Sequence, residues 1–176
     1  AMLLPEGREA LLQALEHCRS RGARIVLDTN YRPALWPDAE VAQAVIGRAA
    51  ALATLVLPSL DDMAACFGVA DPLAAMHHLM ALTEAEIVLT TGGDAVIHRA
   101  AGGEGIDRWS LPPRRVAVDT TGAGDSFNAG WLAARRAGAA PADAIARAAA
   151  LAAQVVLHPG AILPRHAMPS PEETAA

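Results

Sequence analysis

Residues 115–132 read RVAVDTTGAGDSFNAGWL, and the fold turns on how the middle of this stretch is read. Val116 to Val118 has the apolar run of a short buried strand, and Ser126 to Arg135 has the spacing of a helix. Between them lie Asp119-Thr120-Thr121-Gly122-Ala123-Gly124-Asp125. A turn that only reversed the chain would need one glycine and a cap. Amides at a helix start have no intrahelical acceptor, and the helix dipole adds roughly half a positive charge there. Small residues let a ligand approach such a backbone closely. Gly122, Ala123 and Gly124 therefore form a candidate anion hole. Asp125 falls in the first turn of the same helix, where a carboxylate suits accepting the proton of an attacking hydroxyl. A structural reading stays open: threonine and aspartate as ordinary caps, glycine for tight packing.

Two further strand ends carry similar chemistry. Arg24–Asp28 (RIVLD) reads as a strand buried on both faces by its unbroken Ile-Val-Leu, and it runs into Thr29-Asn30-Tyr31-Arg32. Asn30 offers amide donors and Arg32 a forked cation suited to phosphate or carboxylate; the competing reading is a turn with a surface arginine. Glu86–Thr91 (EIVLTT) reads as a strand ending in Thr90-Thr91-Gly92-Gly93-Asp94, either a nucleotide-contacting turn or a plain hairpin turn. Thr54–Leu57 is another buried strand.

Helices are expected over Pro5–Ser20, about Asp38–Ala50, Asp61–Phe67, Asp71 to about Leu82, Gly124–Ala137 and Pro141–Leu157. Ala95–Arg99 and Arg108–Leu111 read as antiparallel hairpin material at a sheet edge. Strands alternating with helices argue for βαβ units and a mostly parallel sheet, in which ligands bind beyond the carboxyl ends of the strands. The tail His158–Ala176 carries four prolines and is expected to wrap the surface before fraying.

Composition removes several function classes. The length of 176 residues suits one domain or part of a larger one. Aromatic residues are 3% of the chain, net charge is −5, and no basic run exceeds two arginines, which argues against nucleic acid as a partner. There is no lysine, so a GxxxxGK[ST] phosphate loop and lysine Schiff-base chemistry are both closed. Cys18 and Cys66 lack the spacing of a zinc site or a disulfide framework, and His77-His78 lacks an i,i+4 partner for metal. The apolar stretch Ala148–Leu157 is too short to span a bilayer, so a soluble, cytoplasmic protein with no membrane partner is expected.

Asp119–Phe127 (DTTGAGDSF) resembles the signature of the ribokinase-like, or PfkB, sugar kinases. LDTNYRPALW, with HPGAILPRHAMP near the end, resembles the 2-keto-3-deoxygluconate kinases among them. The similarity covers essentially the whole chain but only the later part of such a kinase. It implies a three-layer α/β/α Rossmann-like fold, with residues 1–176 as the C-terminal part of the kinase domain and 158–176 as its tail. The implied reaction is ATP-dependent phosphorylation of the primary hydroxyl of a sugar acid, 2-keto-3-deoxygluconate to its 6-phosphate. Another PfkB-type sugar or nucleoside kinase, or a non-catalytic nucleotide-binding remnant, are the alternatives.

Site residues carried over by the resemblance begin with Asp125 as catalytic base, the Gly122, Ala123 and Gly124 amides holding the transferred phosphoryl group. Asn30, Tyr31 and Arg32, with Thr90, Thr91, Gly92 and Gly93, border ATP, while Arg32 and Asp125 meet the sugar acid. Magnesium arrives with ATP, held mainly by phosphates and water, with Asp62 as the protein's contribution. The chain departs from the family at several points. Thr90 and Ala95 stand where lysine and glycine are common, and the family's Asn-x-x-Glu element appears as Ser59-Leu60-Asp61-Asp62. The N-terminal half of such a kinase, with its first strands, lid and usual dimer surface, has no counterpart here. Oligomeric state is therefore open, a homo-oligomer being one option for a complete enzyme, and the 176 residues alone are expected to be inactive.

Overall fold

The computed structural model describes residues 4–113 and 116–168. They divide into two compact units, Ala1–Arg108 and Trp109–Ala176.

In the first unit, α1 (Pro5–Ser20) precedes β1 (Val26–Asp28), and α2 (Ala39–Leu52) carries the chain to β2 (Leu55–Leu57). Then α3 (Leu60–Phe67) and α4 (Pro72–Leu82) lead to β3 (Glu86–Thr90), which is followed by β4 (Ala95–Arg99); β5 (Asp107–Ser110) begins in this unit and runs past its last residue, Arg108. Spatial order follows chain order, β1-β2-β3-β4-β5. The first three strands are parallel, with Leu27 opposite Val56 and Val56 opposite Ile87; β4 turns back antiparallel on β3, with Val88 opposite His98. Parallel neighbours need a crossover long enough to return the chain, which α2 and the α3–α4 pair supply.

Local chemistry sets the helix ends where the sequence indicated. Asp38, Ser59 and Asp71 each accept a backbone N–H from the residue three positions on, at 2.8, 3.0 and 2.8 Å. Pro5 and Pro72 sit in first turns, and Gly68 ends α3 in the left-handed region at φ 69°. The in-register Leu27, Val56 and Ile87 share one sheet face. There Leu12 of α1 and Ala49 and Ala50 of α2 pack with Leu27 and Val56. Met63 of α3 and Ala75, Met76 and Leu79 of α4 pack with Ile87, Leu89 and Ile97.

One expectation fails at β1. Its burial alternates instead of covering both faces: Leu27 is buried while Val26 is 42% exposed. α1 and α2 cover the face that carries Leu27, and Val26 on the other face joins no buried cluster among the described residues, so an unbroken apolar run did not guarantee cover on both faces. β2, flanked by two strands, is buried at all three residues.

The second unit holds α5 (Ala123–Arg136), α6 (Pro141–Val155) and a 3₁₀ turn at Arg165–Ala167. The two helices lie so close that a Cβ added at Gly130 would come within 2.8 Å of the Ala148 Cα. The expected strand at Val116–Val118 is absent. Val116 is 93% and Val118 65% exposed, and the N–H groups of Val118 and Asp119 both donate to the Val156 carbonyl, at 2.8 and 3.3 Å. A strand needs a ladder partner, and this segment takes its hydrogen bonds from the end of α6 instead. The fraying expected at the chain end concerns residues 169–176, which lie outside the described residues.

Candidate active site

Within the first unit, the loops after β1, β2 and β3 leave neighbouring strands at their carboxyl ends, where ligands of α/β sheets bind. Tyr31 anchors the first loop. Its ring, expected at the ATP border, is buried with Ala42, Ile46 and Cys66. Asn30 and Arg32, on either side of it, are exposed. Asn30 holds φ at 35°, a conformation asparagine tolerates better than most residues. This alternation pins the middle of the loop in the core and leaves its polar flanks available.

Asp62 stands in the first turn of α3. Its Oδ2 accepts the Thr29 hydroxyl at 2.7 Å, and its Oδ1 lies 3.8 Å from Nη1 of Arg32. That same Nη1 donates to the Tyr31 carbonyl at 2.8 Å. Asp62 is 8% exposed. Its charge, after burial itself, helps push the Cys66 thiol up to about 11. The expected part for Asp62, holding a magnesium ion, does not fit this setting: the carboxylate is buried, bonded to a hydroxyl and already beside a cation. No group of three or more His, Cys, Asp or Glu that could hold a metal occurs among the described residues.

The loop after β3 is tied internally. Ser59 bridges Thr90 in parallel fashion, and the Thr90 N–H donates to the Pro58 carbonyl at 3.1 Å. The Thr91 hydroxyl accepts the Ala95 N–H and donates to the Ala95 carbonyl, both at 2.9 Å. Gly92 and Gly93 take φ values of 69° and 103° to close the hairpin. The threonines are therefore structural in this state, and the Gly92 and Gly93 amides are left as donors without an acceptor among the described residues.

In the second unit, the turn before α5 is built around Asp119. One carboxylate oxygen accepts the Thr121 N–H at 2.9 Å and the other the Gly160 N–H at 2.8 Å, joining positions 41 residues apart. Hydrogen bonds from the Thr121 hydroxyl, then from the Thr121 and Gly160 amides, hold the Asp119 carboxyl below the usual carboxylate range. Gly122 has φ 77°, and a Cβ there would meet the Ala161 Cβ at 2.7 Å. Gly124 has nothing within 4 Å of such a Cβ. The Ala123 N–H donates to the Thr120 carbonyl at 3.2 Å, whereas those of Gly122, Gly124 and Asp125 have no acceptor among the described residues. The open donors thus run one residue further into the helix than expected, and Ala123 is not one of them. Asp125 is exposed and makes no hydrogen bond or ion pair among the described residues.

The sequence reading missed the ties made by Thr29 and Asp119. Nothing in the composition of the β1 loop pointed to Thr29. Asp119 was visible in the motif, but its partner 41 residues on was not.

A helix start with open amides, a glycine opening and an exposed carboxylate is an arrangement that suits phosphoryl transfer. Residues 1–168 match the pfkB family carbohydrate kinases. The chain belongs to the pfkB family. It is 37% identical to 2-dehydro-3-deoxygluconokinase of Escherichia coli K12 over 174 residues, covering 97% of this chain and 55% of that protein. It superimposes on the crystal structure of aminoimidazole riboside kinase from Salmonella enterica, complexed with aminoimidazole riboside and an ATP analog, with a TM-score of 0.74 and 30% identity. That match covers 94% of this chain and 55% of the other. Arabidopsis thaliana ribokinase shares the fold at a TM-score of 0.73 and 21% identity, over 95% of this chain and 51% of that one. The ribokinase-like α/β class expected for this pfkB chain is the observed one. The chain spans about half the length of the curated relatives it matches. Among the described residues of this family member, no single helix is long and apolar enough to cross a membrane.

Proposed function

We propose that the chain serves an ATP-dependent sugar kinase whose substrate is the sugar acid 2-keto-3-deoxygluconate. Identity to a relative of that specificity supports the substrate, and the exposed Arg32 guanidinium supports an acidic ligand. The single observation carrying the reaction type is Asp125, an exposed carboxylate one residue beyond the opening at Gly124 in the first turn of α5.

In the proposed reaction the substrate's primary hydroxyl oxygen forms a bond to the γ-phosphorus of ATP. The bond from that phosphorus to the β–γ bridging oxygen breaks, ADP carries away the electron pair, and Asp125 takes the hydroxyl proton. The N–H groups of Gly122, Gly124 and Asp125 donate to the phosphoryl oxygens as charge develops there. Asn30 and Arg32 bind the anionic parts of ATP and the sugar acid, and the Gly92 and Gly93 amides border the nucleotide. Asp62 is given no part in holding metal.

The test is phosphoryl transfer from γ-labelled ATP to 2-keto-3-deoxygluconate, with fructose and aminoimidazole riboside alongside, using the protein from its complete reading frame. Asp125→Asn is expected to lower turnover by roughly 10²–10⁴ while ATP still binds. Near-wild-type turnover in that variant would remove Asp125 as the base. One second reading, a nucleotide-binding protein without turnover, is favoured by the departures from the family pattern at Ser59, Thr90 and Ala95. ATP binding with no transfer to any sugar would select it.

A further inference from the structure

One oxygen of the Asp62 carboxylate accepts a hydroxyl from the loop after β1, and the other lies 3.8 Å from a guanidinium of the same loop, an ion pair without a hydrogen bond. Three features make this more than a surface ion pair. Asp62 is 8% exposed, so its charge must be matched by groups already in place. Its own N–H donates to the Ser59 hydroxyl at 3.0 Å, which fixes the α3 turn that carries it. The Thr29 hydroxyl can donate only one hydrogen bond, and it donates it to Asp62.

Arg32 is the opposite case. Its side chain is 60% exposed, so a pair with Asp62 alone would be weak and screened. A second hold comes from its bond to the Tyr31 carbonyl, and Tyr31 is itself locked in the core. Nη1 makes both contacts, a hydrogen bond to the Tyr31 carbonyl and a longer ion pair to Asp62, while the side chain as a whole stays largely exposed. A fork held this way loses less freedom on meeting a two-oxygen anion than one on a loose arm.

We propose that Thr29 and Asp62 are positioning residues that hold the Arg32 guanidinium for an anionic group of the ligand, and that Asp62 is not a metal ligand. This rests on the proposed kinase reading for the ligand's identity, though not for the arrangement itself. A carboxylate of the sugar acid and a phosphate of ATP offer the same two-oxygen chemistry, and the experiment separates them. Thr29→Val keeps the shape of the side chain and removes the donor, Thr29→Ser keeps the donor, and Asp62→Asn removes the charge.

The first readout needs only folded protein: the Arg32 Nε–H resonance in ¹⁵N-labelled samples. It is expected to move in Thr29→Val and Asp62→Asn and to stay near wild type in Thr29→Ser. An unmoved resonance in both of the first two variants, with the fold intact by circular dichroism, overturns the proposal. The second readout is calorimetric binding of 2-keto-3-deoxygluconate, ATP and fructose. Thr29→Val should weaken one anionic ligand by roughly 5-fold or more, as for a lost hydrogen bond to a charged group, leaving fructose unchanged. The ligand that weakens identifies the anion Arg32 reads. Equal weakening of all three would mean a general loss of structure and overturns the positioning role. The third is titration with Mn²⁺ alone. Selective broadening of the Asp62 amide would make Asp62 a metal ligand after all. If no sugar is phosphorylated, the kinase reading fails while the Arg32 resonance still decides this one.

Discussion

Gly122 and Gly124 are two residues apart in one motif, yet the same substitution should move stability in opposite directions. At Gly122 an alanine would have to hold φ near 77°, which costs a residue with a Cβ roughly 1–2 kcal/mol. The new methyl would also lie 2.7 Å from the Ala161 Cβ, 2.9 Å from its Cα and 3.1 Å from its carbonyl oxygen. None of those atoms can rotate away, so overpacking adds about 1–3 kcal/mol. Reduced freedom of the unfolded chain returns about 0.4–1 kcal/mol. Gly122→Ala is therefore expected to destabilise the second unit by about 2–4 kcal/mol. Gly124 has helical backbone and open space in front of it, so Gly124→Ala should be neutral or stabilise by up to about 1 kcal/mol. Urea denaturation followed by circular dichroism measures both. The functional order should be reversed: Gly124→Val, whose side chain fills the opening, is expected to lower turnover about 100-fold, comparable to losing an oxyanion donor. A Gly122→Ala variant within about 0.5 kcal/mol of wild type would refute the packing argument, and normal kinetics in Gly124→Val would make that glycine structural too.

Asp119 predicts an acid-sensitive tie. Because its carboxyl is held below the usual range, the bond to Gly160 contributes fully above the ordinary aspartate value of about 3.9 and is lost as pH falls through the lower folded value. The Gly160 amide shift should be flat from pH 5 to 8 and titrate only below about 4; a midpoint above that would contradict the geometry. The two thiols should separate under native conditions. Exposed Cys18 is expected to react with Ellman's reagent at pH 8, while Cys66, buried and raised to about 11, reacts only after denaturation. Rapid native labelling of both would show that the cluster around Tyr31 opens readily.

Legibility in the sequence followed the range of the interactions. Helix ends were readable because a cap is made within three residues, as Asp38 and Asp71 each bond an amide three positions on; the Ser59 cap was missed, and α3 was expected to start at Asp61. The parallel sheet was readable because apolar runs alternate with helical periods. The motif at Asp119–Asp125 was readable because open helix-start amides need small residues beside them.

Failures came where a partner lies far along the chain. Val116–Val118 has a strand's composition, but strand formation is settled by a neighbouring ladder, and here the neighbour is the Val156 carbonyl. Leu27 and Val26 are equally apolar, and what separates their burial is that α1 and α2 pack on the face that carries Leu27. The resemblance set Tyr31 at the ATP border, and the packing of α2 and α3 draws its ring into the core. The resemblance implied a metal role for Asp62, and the fold sets a hydroxyl from 33 residues earlier on its carboxylate. The sequence by itself determined which groups could do chemistry and where the helices and all but one of the strands would lie. Tertiary structure decided which of those groups are already satisfied, because a hydrogen-bonding group's availability depends on what the fold brings within about 3 Å of it.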